Sequence, residues 1–281
     1  PSYPTFRRAI LRELSIQERA FLSSGSDGRR RYGLHARWEV DHRNFRWELD
    51  TCELKTLVTV PGRPKPERPL LTAIIDCATR AVMGSRISID SVTTADLLVV
   101  LHSALTVDAA RGPFGGAPGI LVHDLALAHL GGGMTDALLA LNIVSDATDP
   151  YAPTQKGKIE RVFGTFKTSF LKGLPFYGEA PRNAANARYQ PSGPPLPLGR
   201  FVPEFAQQID DYNLRRNHRS LGCTPLERWE QDTNDLRLFP PQELAFLLTE
   251  REERAVQNTG TNLRPHAFPA PEPPGWVGEG A

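Results

Sequence analysis

Three acidic residues stand where an apolar pattern would otherwise continue. Asp124 ends an apolar run, residues 119–124, and Glu160 lies where a loop leads into an amphipathic helix. Asp41 interrupts a strand-like stretch, residues 37–46. A buried anion must be paired, protonated or bound to a metal ion, and converging carboxylates suit hard divalent cations. The pattern predicts a metal site built from Asp41, Asp124 and Glu160.

Such a site suits the transfer of a phosphoryl group between oxygens. Two Mg²⁺ ions about 4 Å apart can clamp the attacking and the leaving oxygen. Three carboxylates suffice for this, one shared and one for each ion, so we expect two Mg²⁺ (or Mn²⁺) ions. Cationic side chains surround Glu160 in the same helix and are predicted to bind DNA phosphates; they are Lys156, Lys158, Arg161 and Lys167. A plain solvated helix face is the alternative for the lysines.

The elements that must position these residues follow from periodicity and turn signals. Strands are predicted at 37–46, 54–60, 70–76, 81–89, 119–124 and 142–145. Helices are predicted at 93–110, 135–141, 157–171, 202–215 and 224–231, with a possible hairpin within 252–268. Antiparallel strands followed by alternating helices and strands indicate an α/β fold, a mixed sheet covered on both faces.

Bulk properties narrow the class of protein. The 281 residues carry a net charge of +1, so any attraction to a polyanion must come from local clusters of Lys and Arg. The three cysteines are far apart and form no Cys-x-x-Cys pair, which indicates reduced thiols of an intracellular protein. No apolar run is long enough for a membrane span. Because the chain begins at Pro1 without Met, we expect a piece of a longer protein.

Several segments together resemble the catalytic core of DDE transposases and retroviral-type integrases. They are Trp38-Glu-Val-Asp41-His, residues 71–84, Ile120-Leu-Val-His-Asp124 and Pro153-Thr-Gln-Lys-Gly-Lys-Ile-Glu160-Arg-Val-Phe-Gly. Residues 211–229 are similar to the segment that follows this core. Residues 251–268 resemble the entry into the small β-barrel of the phage Mu-like transposase branch.

This resemblance implies an RNase H-like fold, with a mixed five-stranded sheet flanked by helices, a helical extension and the start of a small β-barrel. The domains expected from it are a helical segment and basic linker from an upstream DNA-binding region (1–32), the catalytic core (33–175), a loop and helical extension (176–235), and the start of the barrel with a disordered tail (236–281).

The resemblance also implies a function. It implies Mg²⁺- or Mn²⁺-dependent cleavage of transposon ends and strand transfer to target DNA, with Asp41, Asp124 and Glu160 as catalytic residues and metal ligands. Proteins of this branch act as homo-oligomers on paired DNA ends, often with an ATPase that selects the target. The resemblance also implies that the protein acts in the cytoplasm of a prokaryotic cell, in association with the nucleoid. Asp76 is usually structural in the family, near Arg80.

One position departs from the family pattern. Leu125-Ala126 follow Asp124, where a small polar pair is usual. This departure motivates an alternative, a catalytically decayed DNA-binding or assembly protein that retains the fold. A further alternative is an RNase H-like nuclease that cuts DNA without joining it. His123 and His129 flank Asp124, but no matching Cys or His stands nearby in the sequence, so a zinc site is not favoured.

Overall fold

A five-stranded sheet forms the centre of the molecule. The structure is a computed structural model that describes residues 40–124, 132–148, 156–178, 193–248, 261–263 and 266–268. The strands of the sheet are β1 (Arg46–Glu53), β3 (Leu70–Asp76), β4 (Val82–Ser88), β5 (Ile120–Asp124) and β6 (Val144–Thr148), in the order β4-β3-β1-β5-β6. The expected segment 1–32, Leu125-Ala126, His129 and the tail 269–281 lie outside the described residues.

The direction of the strands confirms the predicted RNase H-like sheet. β1 pairs antiparallel with β3, and β3 pairs antiparallel with β4. β1 is parallel to β5, and β5 is parallel to β6. Parallel strands need long crossovers, which here include helix α1 (Thr94–Leu105) between β4 and β5 and helix α2 (Gly132–Ala140) between β5 and β6.

Side chains of β1 alternate between two cores, one on each face of the sheet. Trp47 and Leu49 pack with α1 and α2, whereas Cys52 packs on the opposite face. That second face is covered by helix α3 (Gly157–Ser169), whose buried side chains are Ile159, Val162 and Phe166. Because successive side chains of a strand point to opposite faces, Glu48 and Asp50 face α3.

The residues after the sheet contribute to both cores. Helix α4 (Leu198–Leu214) places Phe201, Phe205 and Tyr212 on the α3 side. Helices α5 (Pro225–Glu230) and α6 (Pro241–Leu247) place Trp229 and Leu244 on the α1 side. Strands β2 (Val58–Thr59) and β7 (Leu196–Pro197) pair in parallel, and β8 (Thr261–Leu263) and β9 (His266–Phe268) form the expected hairpin. No helix among the described residues is long and apolar enough to cross a membrane.

The strand predicted at 37–46 is wrong over residues 40–45, the part before β1 that the structure describes. Residues 41–45 form a bend and turn, and β1 begins at Arg46. Asn44 has a left-handed backbone with φ of 59°, a conformation that ends an extended strand. Its side chain accepts a hydrogen bond from Trp47 Nε1 at 3.0 Å, and its backbone N–H donates to Asp76 at 2.8 Å. These bonds fix the turn that precedes β1.

Candidate active site

A single ammonium group joins two carboxylates of neighbouring strands. Lys156 Nζ lies 2.9 Å from Asp50 Oδ1 and 3.6 Å from Asp124 Oδ2. The Lys156 side chain is 12% exposed, against 21% for Asp50 and 49% for Asp124, so the site opens to solvent on the Asp124 side. Glu48 pairs with Val122 across the two parallel strands. Two residues further along each strand, Asp50 and Asp124 therefore stand level on the same face.

Glu48 holds the start of α3 against the sheet. Its Oε2 accepts hydrogen bonds from the N–H of Ile159 at 2.8 Å and of Lys158 at 3.2 Å. Lys156, the residue before the helix, supplies no side-chain cap of its own. Burial raises the pKa of the Glu48 carboxyl, and the bond from Ile159 opposes that rise. A carboxylate suits a helix N-terminus, so Glu48 fixes where Lys156 meets the acids.

Glu160 lies in the first turn of α3 and is exposed. It follows Lys156 by one helical turn, so both residues lie on the same side of the helix. Among the described residues, no three His, Cys, Asp or Glu side chains come close enough together to hold a metal ion. The structure thus brings Asp50 and Asp124 together and leaves Glu160 outside that pair.

Asp41 is not brought to the other predicted acids. It is exposed, in the turn before β1. The N–H of Gly119 donates to the carbonyl of Asn44 at 2.8 Å, so this turn lies at the amino end of β5. Asp124 ends the same strand, which at about 3.3 Å per residue puts it on the order of 15 Å away. The acid that β1 directs to Asp124 is Asp50, which the sequence reasoning missed.

A repeated pattern explains why Asp50 was missed. Trp-Glu-aliphatic-Asp occurs twice, at 38–41 and at 47–50. The second copy lies in β1, whereas Val40 and Asp41, the part of the first copy that the structure describes, lie outside the sheet. Its polar positions, Glu48 and Asp50, alternate with buried Trp47 and Leu49. This period of two indicates a strand and could have placed Asp50 in the sheet from the sequence alone.

The four cations predicted to bind DNA have different surroundings. Lys156 contacts the two acids, and Lys158 Nζ donates to the Cys77 carbonyl at 3.2 Å. Arg161 and Lys167 are exposed on α3. Exposure leaves these last two accessible to a polyanion, the charge of Lys156 is paired with carboxylates, and Lys158 contacts a neutral carbonyl.

His123 and Asp76 have structural partners. His123 is buried, and its Nε2 lies 2.7 Å from Ser145 Oγ. Asp76 is fully buried and accepts hydrogen bonds from the N–H groups of Asn44, Ala78 and Thr79. Burial raises the pKa of the Asp76 carboxyl, and the bonds from Thr79 oppose that rise. These bonds give Asp76 the role of building the turn after β3.

Comparison with protein families matches residues 48–175 to the TnsB C-terminal domain. The matched residues include Asp50, Asp124 and Glu160 and begin after Asp41. The transposase for transposon Tn552 of Staphylococcus aureus is 25% identical over 257 residues, which cover 89% of this chain and 51% of that protein. The chain therefore spans about half the length of this curated relative.

Two solved structures of viral proteins are similar at low identity. The HTLV-2 integrase catalytic core domain in complex with magnesium, in its trimeric form, has a TM-score of 0.43 and 18% identity, covering 66% of this chain and 95% of that chain. The simian T-cell lymphotropic virus intasome in complex with PP2A regulatory subunit B56 gamma has a TM-score of 0.47 and 19% identity, covering 78% of this chain and 62% of that chain.

Proposed function

We propose that this chain, which is similar in sequence to the TnsB C-terminal domain and to a transposase, catalyses metal-dependent cleavage of DNA ends and their transfer to target DNA. One observation carries the proposal. Asp50 and Asp124 converge on a single cation at the start of the helix that bears Glu160. We assign the catalytic roles to Asp50, Asp124 and Glu160, with Asp50 replacing Asp41.

The donor set fits a hard divalent cation. Two carboxylates that share one ammonium already surround a positive charge with oxygen atoms, and Mg²⁺ and Mn²⁺ prefer such ligands. Asp50 and Asp124 would hold one ion, and Glu160 would complete the set for a second. Bound metal supplies charge stabilisation on the phosphate and activates the attacking hydroxyl.

The other residues of the site act on position and charge. Lys156 offsets the repulsion between the two carboxylates and holds them level. Glu48 fixes the first turn of α3, because its side-chain oxygen accepts from two backbone N–H groups there, and this sets the distance from β1 to Glu160. Arg161 and Lys167 extend the positive charge along the exposed side of α3, where DNA phosphates would pass.

The partners of this activity are part of the proposal. Transposon ends and target DNA are the substrates, and the active form is a homo-oligomer on paired ends. An ATPase that selects the target is a further proposed partner, and a prokaryotic cytoplasm is the proposed location.

Nicking and joining assays on four single variants test the assignment. With Mn²⁺, a supercoiled plasmid and oligonucleotides with free 3′ hydroxyl ends, Asp50→Asn, Asp124→Asn and Glu160→Gln should each lower product formation by about 100-fold or more, because each removes a metal ligand. Asp41→Asn should stay within about twofold of wild type. Loss of activity in Asp41→Asn with Asp50→Asn unaffected would restore the sequence-based assignment.

A decayed protein that only binds DNA is the alternative with an observation in its favour. Among the described residues the acids do not form a cluster of three, and Lys156 contacts two of them. Calorimetric titration with Mn²⁺ separates the two functions: an active site binds the ion and loses it in Asp50→Asn, whereas a decayed one does not bind it. A simple nuclease would nick the plasmid and give no joined product.

A further inference from the structure

Two cationic side chains converge on one neutral oxygen, the carbonyl of Cys77 in the turn after β3. Lys158 Nζ donates to the Cys77 carbonyl at 3.2 Å, and the Arg80 guanidinium donates to the same oxygen. The nearby Glu48 carboxylate is already bonded, because it accepts from two amides of α3 and from the Cys77 thiol.

Arg80 is held by the turn after β3 rather than by an ion pair. It has a left-handed backbone with φ of 67°, which is costly for a residue with a side chain. The backbone N–H of Arg80 donates to the Asp76 carbonyl at 2.9 Å. The Asp76 carboxylate accepts from Thr79 Oγ1 at 2.8 Å within the same turn. A strained residue held by its surroundings points to a function for its position.

His218 completes the group from the loop after α4. Its ring packs edge-on against Tyr212, with centroids 4.6 Å apart, and Tyr212 packs on Phe166 of α3 at 5.3 Å. Among the described residues, the buried His218 Nε2 has no hydrogen-bond partner. Burial, followed by the charges of Arg216 and Arg80, lowers the pKa of His218 to about 4. A neutral ring with an unpartnered nitrogen thus lies beside two guanidinium groups.

Arg80, Lys158 and Arg216 differ from several other cationic residues of the protein in their lack of a salt-bridge partner among the described residues. Arg200 and Arg215 pair with Glu204 and Asp211 on α4. In the part of the chain that the structure describes, no carboxylate forms a salt bridge with Arg80, Lys158 or Arg216. Positive groups that the fold holds together without a counter-ion form a site for an anion.

We propose that Arg80, Lys158, Arg216 and His218, which we call the basic cluster, bind a phosphate of the DNA backbone. The choice of DNA rests on the proposed function. Cys77, whose carbonyl anchors the cluster, also donates its thiol to Glu48 at 3.4 Å. Glu48 lies two residues from Asp50 on the same face of β1, about 7 Å along the strand. A DNA strand whose reacting phosphate lies at the acids would bring a nearby phosphate to the basic cluster.

Equilibrium DNA binding without metal is the first test. Fluorescence anisotropy with a labelled duplex in EDTA, over a salt series, compares wild type with Arg80→Gln/Arg216→Gln. Losing one phosphate contact should make the slope of log affinity against log salt less steep by about 0.9, with affinity about tenfold lower. Arg200→Gln is the control, because it removes an exposed positive charge that pairs with Glu204. Arg216→Gln alone replaces the double variant if the latter does not fold, because Arg216 is exposed.

NMR titration of the His218 ring is the second test. Its pKa should rise from about 4 when duplex DNA is added, because a bound phosphate neutralises Arg80 and Arg216. Inorganic phosphate is a separate probe, and a response to it without a response to DNA would overturn the assignment to DNA. The proposal also fails if the arginine variants bind DNA like Arg200→Gln and the His218 pKa does not move. A protein that binds through the basic cluster but never nicks DNA would refute the proposed function and leave this inference intact.

Discussion

Two lysines at the start of α3, one just before the helix and one in its first turn, have opposite surroundings. Lys156 lies between two carboxylates, whereas Lys158 lies beside an arginine. Residues two apart on a helix point roughly 200° apart. Lys156 therefore points to the acidic pair and Lys158 to the basic cluster. Glu48 stands between them and bonds to the backbone of the same turn. The comparison shows that the acidic pair and the basic cluster are positioned by one contact between β1 and α3.

Replacing Glu48 should have the largest effect, because it removes that contact for both regions. Glu48→Leu leaves two amides at the start of α3 without their acceptor and should lower the free energy of unfolding by about 2–4 kcal/mol. Glu48→Gln keeps an oxygen acceptor and should cost about 1 kcal/mol. Urea unfolding measures both values. Equal losses in the two variants would mean that the bonds to α3 are not what Glu48 contributes.

The difference in stability between wild type and Glu48→Gln should depend on pH. Burial raises the pKa of Glu48 above 4.5, so the folded state holds its proton more tightly than the unfolded chain does. Stability from this group is complete below pH 4.5 and is lost as the pH rises through the raised pKa. Wild type should therefore lose stability over that window relative to Glu48→Gln. A stability difference between wild type and Glu48→Gln that stays constant with pH would contradict the raised pKa of Glu48.

Replacing Lys156 should have an intermediate effect, confined to the acidic pair. In Lys156→Gln, Asp50 and Asp124 lose their shared cation, so the protein in EDTA should be less stable by about 1 kcal/mol. Mn²⁺ should bind more tightly, because no ammonium competes for the carboxylates, and the rise in Tm on adding Mn²⁺ should be larger than in wild type. Lys167→Gln, on the exposed side of α3, is the control. An unchanged Mn²⁺-induced rise would show that Lys156 does not oppose metal binding.

Replacing His218 should have the smallest effect, confined to the basic cluster. Its pKa is about 4 in the folded protein against an ordinary 6.5, so the unfolded chain takes up the proton first. Wild type should lose stability relative to His218→Gln as the pH falls from 6.5 toward 4. Melting temperatures measured across that range test this. Parallel curves for the two proteins would mean that the ring is accessible to protons in the folded state.

The sheet and α3 could be predicted because their patterns are periodic. The apolar stripe of α3 placed Ile159, Val162 and Phe166 in the core, and the run 119–124 became β5 with one residue fewer. The first strand could not be placed, because two copies of one tetrapeptide pattern competed and the deciding factor was tertiary. Asn44 bonds to Asp76, 32 residues away, and so ends the turn before β1. Such a contact leaves no local mark in the sequence.

The basic cluster could not be predicted from the sequence, because its members also meet only in the folded structure. Arg80, Lys158 and Arg216 come from three separate segments, and single cations of this kind are usually solvated. Their convergence depends on the turn built around Asp76 and on the ring of Tyr212 under His218. The structural role expected for Asp76 is to build the turn that carries Arg80.

The pairing of Asp50 and Asp124 depends on backbone register, and this has a consequence for insertions and deletions. On β5, His123 and Asp124 point to opposite faces of the sheet. Losing one residue from β5 would turn His123, which contacts Ser145, toward Lys156 and direct Asp124 to the other core. Deleting any one residue of 119–124 should therefore separate Asp124 from Asp50 even though Asp124 itself is unchanged, and a deletion scan of these residues would show this.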